Sequence, residues 1–338
     1  MKILVDAFGG DHAPRSVLEG CAQAVAQLDA SITLVGDRGR IEAAAKEYNI
    51  PMTGMEIAHA PDVMPMEADP SQLRKEYQNS SMAVGCQLLA DGAGDAFVTA
   101  GSTGAALVGA SVIVKRMKGI KRCAIATVIP NLTGTYLLID AGANSECRPE
   151  MLEQFGVMGS VYMEKIQGVK NPRVGMVNIG TEENKGTALQ VEANALLREA
   201  GVNFIGNVEA RELPLGGCDV AVCDGFTGNV LLKLTEGLAK MFTTQLKGMF
   251  TSSLGTKVAA LLMKGQMKGF KKQLDSSEHG GAPLLGARKP VIKAHGSSDA
   301  KAIKNAVRQA MRCVQEDVTG EIGRSLAARS QEQEAAEE

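Results

Sequence analysis

The stretch Val220–Gly237, VAVCDGFTGNVLLKLTEG, decides how this chain is read. Val220, Ala221, Val222 and Cys223 form the short apolar run expected of a buried parallel strand. The run breaks at Asp224-Gly225 and bends through Thr227-Gly228-Asn229. Val230, Leu231, Leu234 and Leu238 then fall on one helical face. A strand feeding a glycine-rich turn that opens a helix leaves free backbone N–H groups beside the positive end of the helix dipole, where anions bind. Asp224 and Asn229 flank that turn. The same pattern also fits an ordinary strand-to-helix connection with a side-chain cap.

Two more turns of this kind favour the anion reading. Ala96–Ala106, AFVTAGSTGAA, is a strand followed by Gly101-Ser102-Thr103-Gly104 and a small-residue helix. Lys2–Pro14, KILVDAFGGDHAP, is a strand ending at Asp6, then Gly9-Gly10-Asp11-His12. Three such loops at strand C-terminal ends are expected to line one edge of a parallel sheet, where open α/β folds bind ligands. None is a dinucleotide fingerprint or a Walker A sequence, so a phosphate-type anion is expected and not a nucleotide.

Outward from these loops, strand-like and helical stretches alternate with short links, which describes a doubly wound, three-layer α/β/α domain over residues 1–328. Cys123–Ile129 and Thr135–Asp140 are close enough to pair as a hairpin, making the sheet mixed. Asp140–Asn144 is a fourth small-residue strand end. Gly280–Gly286 reads as a flexible link and Lys289–His295 as the last strand. Residues 329–338 read as a polar, acidic, disordered tail.

Composition narrows the function. Aromatic residues make up 4% of the 338, Trp is absent and the net charge is −2, which argues against a nucleic-acid partner. The seven cysteines are scattered without a C-x-x-C pair, suiting a reducing compartment and arguing against disulfides or a zinc site. Cys223 is expected to be a small buried residue and not a nucleophile. No run of about 18 apolar residues is present, so no transmembrane helix is expected. The N-terminus reads as a strand and not as a signal peptide, so the protein is expected inside the cell.

The region 237–288 stands apart as a helical extension. Gly237–Leu274 carries seven lysines and no acidic residue. On a helical wheel, Lys257, Lys264, Lys268, Lys271 and Lys272 share one arc of about 100°, opposite Val258, Leu262, Met263 and Met267. Such a helix lies on anionic lipid, docks an acidic protein, or packs its apolar face on its own fold or a dimer partner.

Together VDAFGGDHAP at 5–14, TAGSTGA at 99–105, NIGTEENKG at 178–186, CDGFTGNVLLK at 223–233 and KAHGSS at 293–298 resemble the bacterial phosphate acyltransferases of phospholipid synthesis. The resemblance runs through essentially the whole chain in order. It implies a homodimer with a fold similar to phosphotransacetylases and isocitrate-dehydrogenase-like enzymes, using no metal or organic cofactor. It implies transfer of a long-chain acyl group from acyl carrier protein to inorganic phosphate, giving acyl phosphate for a membrane glycerol-phosphate acyltransferase. It also implies a cytoplasmic protein in peripheral contact with the membrane. By the same resemblance, Lys185, Asp224 and Asn229 are the catalytic candidates.

The residues suit that chemistry. Phosphate attacks a thioester directly, so the protein need only position it and supply donors to the developing oxyanion. Backbone groups at Gly9, Gly10, Gly101, Gly104, Gly225 and Gly228 and the side chains of His12, Ser102, Thr103 and Thr227 are the candidates to hold phosphate. The rival readings are a phosphotransacetylase using acyl-CoA, and a non-catalytic regulator that binds carrier protein or membrane.

Overall fold

In the computed structural model, residues 1–263, 265, 269 and 280–337 are described, without the side chains of Leu254 and residues 330–337. The first half runs β1 (Lys2–Asp6), α1 (Arg15–Leu28), β2 (Ser31–Gly36), α2 (Arg38–Glu47), β3 (Met55–His59), α3 (Ser81–Ala90), β4 (Ala96–Thr99), α4 (Thr103–Val108), β5 (Ala124–Asn131) and β6 (Gly134–Ile139). It continues with α5 (Pro149–Tyr162), β7 (Val174–Asn178), α6 (Ala188–Arg198), β8 (Phe204–Glu209), β9 (Val220–Val222), α7 (Gly225–Thr251) and α8 (Leu254–Leu262). The chain closes with β10 (Ala282–Leu285), β11 (Val291–Lys293), α9 (Ala300–Gln315) and α10 (Val318–Glu337).

Among the described residues the strands form one eleven-stranded mixed sheet, ordered β3-β2-β1-β4-β11-β10-β5-β6-β9-β7-β8. Alternation along each strand divides its side chains between two cores. Ile3 and Val5 of β1 join one core with Leu18 of α1 and Ile303 of α9, while Leu4 joins the other with Cys86 and Leu89 of α3. Leu137 and Ile139 of β6 likewise face Phe155 of α5, with Leu138 turned away. This is the three-layer α/β/α arrangement expected from the sequence.

The expected hairpin is present, with β5 and β6 antiparallel and Ala126 opposite Ile139. Its effect on the sheet is larger than the sequence suggested. β11 runs parallel to β4 and β1, but β10 is antiparallel to β11 and β5 antiparallel to β10. β6, β9, β7 and β8 then run parallel to one another and opposite to β1 and β4. The glycine loops expected along one edge therefore divide between two.

Two other expectations need correction. Gly280–Gly286, read as a flexible link, contains β10, whose apolar APLL sequence is buried in the middle of the sheet between β11 and β5. The glycines that suggested a link are confined to its ends, at Gly280, Gly281 and Gly286. Residues 329–337, read as a disordered tail, continue α10, consistent with their content of Ala, Gln and Glu, which are good helix formers. Arg329 in this stretch pairs with the buried Glu153 of α5.

Helix α7 projects from the body. Of its 27 residues only Gly225 and Gly228 are buried. It stops at Ser252, and Ser253 caps α8 by accepting from the Thr256 amide at 3.2 Å. Lys257 is exposed on α8. Lys264, Lys268, Lys271 and Lys272 lie outside the described residues.

Candidate active site

Strands β6, β9 and β7 are neighbours and parallel, so the loops that follow them share one edge. These loops are Asp140–Asn144, Asp224–Asn229 and Ile179–Gly186. Asp224, at the end of the buried β9, caps α7: one carboxylate oxygen accepts from the Thr227 amide at 2.9 Å and the other from the Thr227 hydroxyl at 2.7 Å. The cap reading of this turn holds: the Asp224 carboxylate fixes the geometry of the helix start and takes up the Thr227 amide that the anion reading requires to be free. The Gly225 amide donates to the Asn144 carbonyl at 2.7 Å. A Cβ on Gly228 would sit 1.9 Å from the Asp140 carbonyl oxygen, so the glycine allows this turn to press against the β6 loop. Asn229 is exposed and packs beside Gly142.

Asp140 is the hub of this edge. It is fully buried, and its carboxylate accepts from the amides of Ile125, Gly142, Ala143 and Asn144 and from the Asn144 side-chain amide, at 2.7–3.1 Å. Burial pushes its pKa up, and the Ala143 and Asn144 donors pull it back. The sequence marks Asp140 only as one of several strand-end carboxylates; its organising role depends on which amides converge on it.

In the third loop the buried Asn178 donates to the Lys185 carbonyl at 2.9 Å, and the Lys185 amide donates to the Glu182 carbonyl at 3.1 Å. The Asn207 side chain holds the same Glu182 carbonyl at 2.7 Å. The Lys185 backbone is thus fixed while its ammonium is about half exposed, 3.9 Å from the Glu182 carboxylate. That contact is long and solvent-screened, so the charge is available to a phosphate.

The loops after β1, β4 and β11 form a second group at the other edge. The Asp6 carboxylate accepts from the Thr99 hydroxyl at 2.7 Å, and the Gly101 amide donates to the same hydroxyl at 3.0 Å. A Cβ on Gly9 would lie 2.6 Å from the Gly101 nitrogen, and the Asp11 amide donates to the Gly296 carbonyl at 2.8 Å. Gly104 packs on Pro70, Thr103 and His12 are exposed, and Ser102 is half-buried with no cap bond. Beneath these loops Lys293 is buried and donates to the carbonyls of Ala100 and Ala294. Burial pulls its pKa down to about 8, with the charges of Asp6 and Asp11 opposing the fall. The sequence reading missed Lys293; the signal was a lysine closing the apolar strand run of KPVIK, just before a His-Gly turn.

Cys223, the thiol nearest the α7 turn in sequence, is buried, and burial raises its pKa well above the ordinary value. It is a small core residue, as expected, and not an activated nucleophile.

An eleven-stranded mixed sheet between helical layers, with glycine-rich loops at its strand ends, defines a class by fold alone. Solved phosphotransacetylases share the fold. The enzyme from Streptococcus pyogenes superposes with a TM-score of 0.61 at 18% identity, covering 94% of both chains. A phosphotransacetylase from Staphylococcus aureus gives 0.58, also at 18% identity and 94% of both chains. Within that class, residues 1–321 match the family described as fatty acid synthesis protein. A phosphate acyltransferase of Alkaliphilus oremlandii is 48% identical over 97% of this chain and 98% of its own length. That of Clostridium acetobutylicum is 43% identical over 96% and 99%. The chain belongs to the phosphate acyltransferase family, a family of acyltransferases.

Proposed function

We propose that the protein transfers a long-chain fatty acyl group from acyl carrier protein to inorganic phosphate, releasing acyl phosphate and the free carrier thiol. The observation that carries this reading is the convergence of the Asp140, Asp224 and Lys185 loops on one edge, at the N-terminus of a long helix. The Gly225, Thr227 and Gly228 amides are already engaged by Asn144 and Asp224, so phosphate held beside the helix start by Lys185 is itself the nucleophile. Its oxygen attacks the thioester carbonyl, the carbon–sulfur bond breaks, and the thiolate takes a proton as it leaves. The exposed Asn229 side chain is the donor to the oxyanion. Asp224 holds the turn in register.

The loops containing Gly9, Gly10, His12 and Gly101–Gly104 make a second wall of the pocket in this reading. Five strand-to-strand steps separate β4 from β9, and each turns the sheet by roughly 20–25°. Over five steps that average accumulates to roughly 100–125°, and this rotation is the support for treating the two C-terminal edges as walls of one hollow.

Phosphate-dependent loss of acyl thioester tests the proposal. Turnover that is saturable in phosphate and in acyl carrier protein supports it. Faster turnover with acyl-CoA favours a phosphotransacetylase-type donor, and binding of carrier protein without turnover favours a regulator.

The exposed α7–α8 face supports two further assignments, homodimer formation and peripheral contact with anionic membrane, where a glycerol-phosphate acyltransferase would take up acyl phosphate. Val230, Leu234, Leu238, Phe242, Leu261 and Leu262 are all exposed along it. Among the described residues no helix is long and apolar enough to cross a membrane.

A further inference from the structure

The sequence 115–122, KRMKGIKR, carries five basic residues in eight, and nothing in the reaction described above uses it. It links the helical turn Gly109–Ile113 to β5 and lies beside the turn that joins β10 to β11, through a bridge between Arg116 and Ala287. Two cavities of about 410 and 510 Å³ open on this surface and share Val112 and Lys115. Arg74, Lys115, Arg116, Arg122, Arg288 and Lys289 line them, and the one acidic lining residue is Asp91, which accepts from the Gln87 side chain at 2.8 Å. Among the described residues none of these six cations makes an ion pair. Two of the guanidinium groups are held by backbone: Arg116 donates to the Lys121 carbonyl at 2.8 Å and Arg288 to the Arg116 carbonyl at 3.2 Å. The Lys289 ammonium is fixed on the Gly94 carbonyl at 3.2 Å. Val112, Ile113, Met117 and Ile120 supply an apolar floor.

This surface adjoins the α7 edge. Residue 123 follows the basic segment directly, and its carbonyl accepts from the Asn144 side chain at 2.8 Å. The Asn144 carbonyl in turn accepts from the Gly225 amide, the first of α7, at 2.7 Å. The basic segment is therefore linked through Asn144 to the start of α7.

We propose that this basic, floored surface docks the acidic protein that delivers the acyl thioester; the assignment rests on the carrier-dependent reaction proposed above. Concave cavities lined by six cations, three of them held by backbone carbonyls, suit the side chains of an acidic helix, which pairs apolar contacts with charge. A bilayer presents a plane, and its contact is better met by the projecting α7–α8 face. The cavity lining holds no aromatic side chain for base stacking.

The test is the paired substitution Lys115→Glu with Arg122→Glu, assayed with acyl carrier protein and with a small acyl-pantetheine thioester. The expected result is a KM for carrier protein raised at least about tenfold, loss of its salt dependence, and unchanged kcat with the small thioester. Fluorescence anisotropy of labelled carrier protein should show a matching loss of affinity, and this readout needs no catalysis. If neither donor reacts with the wild type, the acyl-transfer reading fails, and anisotropy still decides the docking. The milder pair Lys115→Gln with Arg122→Gln serves if the charge reversal does not fold. A KM and affinity within twofold of wild type overturn the proposal. So does release from anionic vesicles with carrier affinity retained, or dissociation of a dimer in place of loss of carrier binding.

Discussion

Three residues illustrate what single side chains contribute. Lys185 is exposed and weakly paired, so its removal should leave the fold intact. Lys185→Ala is expected to lower phosphate-dependent kcat/KM by about 2–4 kcal/mol of transition-state stabilisation, while a urea midpoint stays put. Wild-type turnover in the folded variant would remove Lys185 from the site. Asp140→Asn puts an NH2 group among amide donors that converge on a buried acceptor. It should cost about 1–3 kcal/mol in urea unfolding, with loss of turnover following from displacement of the α7 turn. Lys293 carries a pH prediction. Its pKa in the fold is about 8 against an ordinary 10.5, so between these values the unfolded chain binds more protons than the native one. Stability should therefore rise with pH across that window, by at most about 1.4 kcal/mol per unit. Unfolding of wild type and Lys293→Met at pH 8 and pH 10 isolates the term. Wild type should gain on the variant at the higher pH, and parallel behaviour would show that the lysine is not desolvated.

At the scale of the element, the start of α7 combines a helix cap with a candidate catalytic carboxylate. Substitution separates the two roles of Asp224. Asp224→Ser retains a side-chain acceptor for the Thr227 amide, whereas Asp224→Ala does not and should lose about 1 kcal/mol more stability. If only the cap matters, the serine variant keeps most of its turnover; if the carboxylate acts on substrate or on Lys185, both variants lose it. The long exposed part of α7 and α8 is suited to a surface supplied from outside the monomer. Leu261 and Leu262 are 70% and 79% exposed, an exposure that a solitary folded chain gains nothing from. Changing both to Asp should reduce sedimentation with anionic vesicles and leave turnover of a soluble donor intact. Unchanged vesicle binding would assign this face to dimer packing.

At the scale of the whole molecule, the central hairpin β5–β6 and the inserted strand β10 set the architecture. They join two parallel half-sheets of opposite direction, with each half bringing its own set of strand-end loops. Coupling between the halves is testable through phosphate. Ser102→Ala with Thr103→Ala should raise the KM for phosphate if the β4 loop forms the second wall of the pocket. An unchanged KM would confine phosphate to the α7 edge.

The local chemistry was legible in the sequence because it is encoded locally. Hydrophobic period, the glycine turns and the Asp-Gly break before α7 depend on neighbours a few residues away, and they gave the fold class, most strand positions and the cap at Asp224. Long-range pairing was not legible. Ala282–Leu285 looks like a linker until β5 and β11 are seen on either side, because four apolar residues between glycines carry no sign of their partners. The convergence on Asp140 of amides as far off as Ile125, and the burial of Lys293 under the β1 and β4 loops, are likewise tertiary facts. So is the placing of the KRMKGIKR segment one residue from the carbonyl that holds Asn144. A sequence records which groups can ionise or donate. Only the packed sheet decides which of them meet, because strand direction and order bring together residues far apart along the chain.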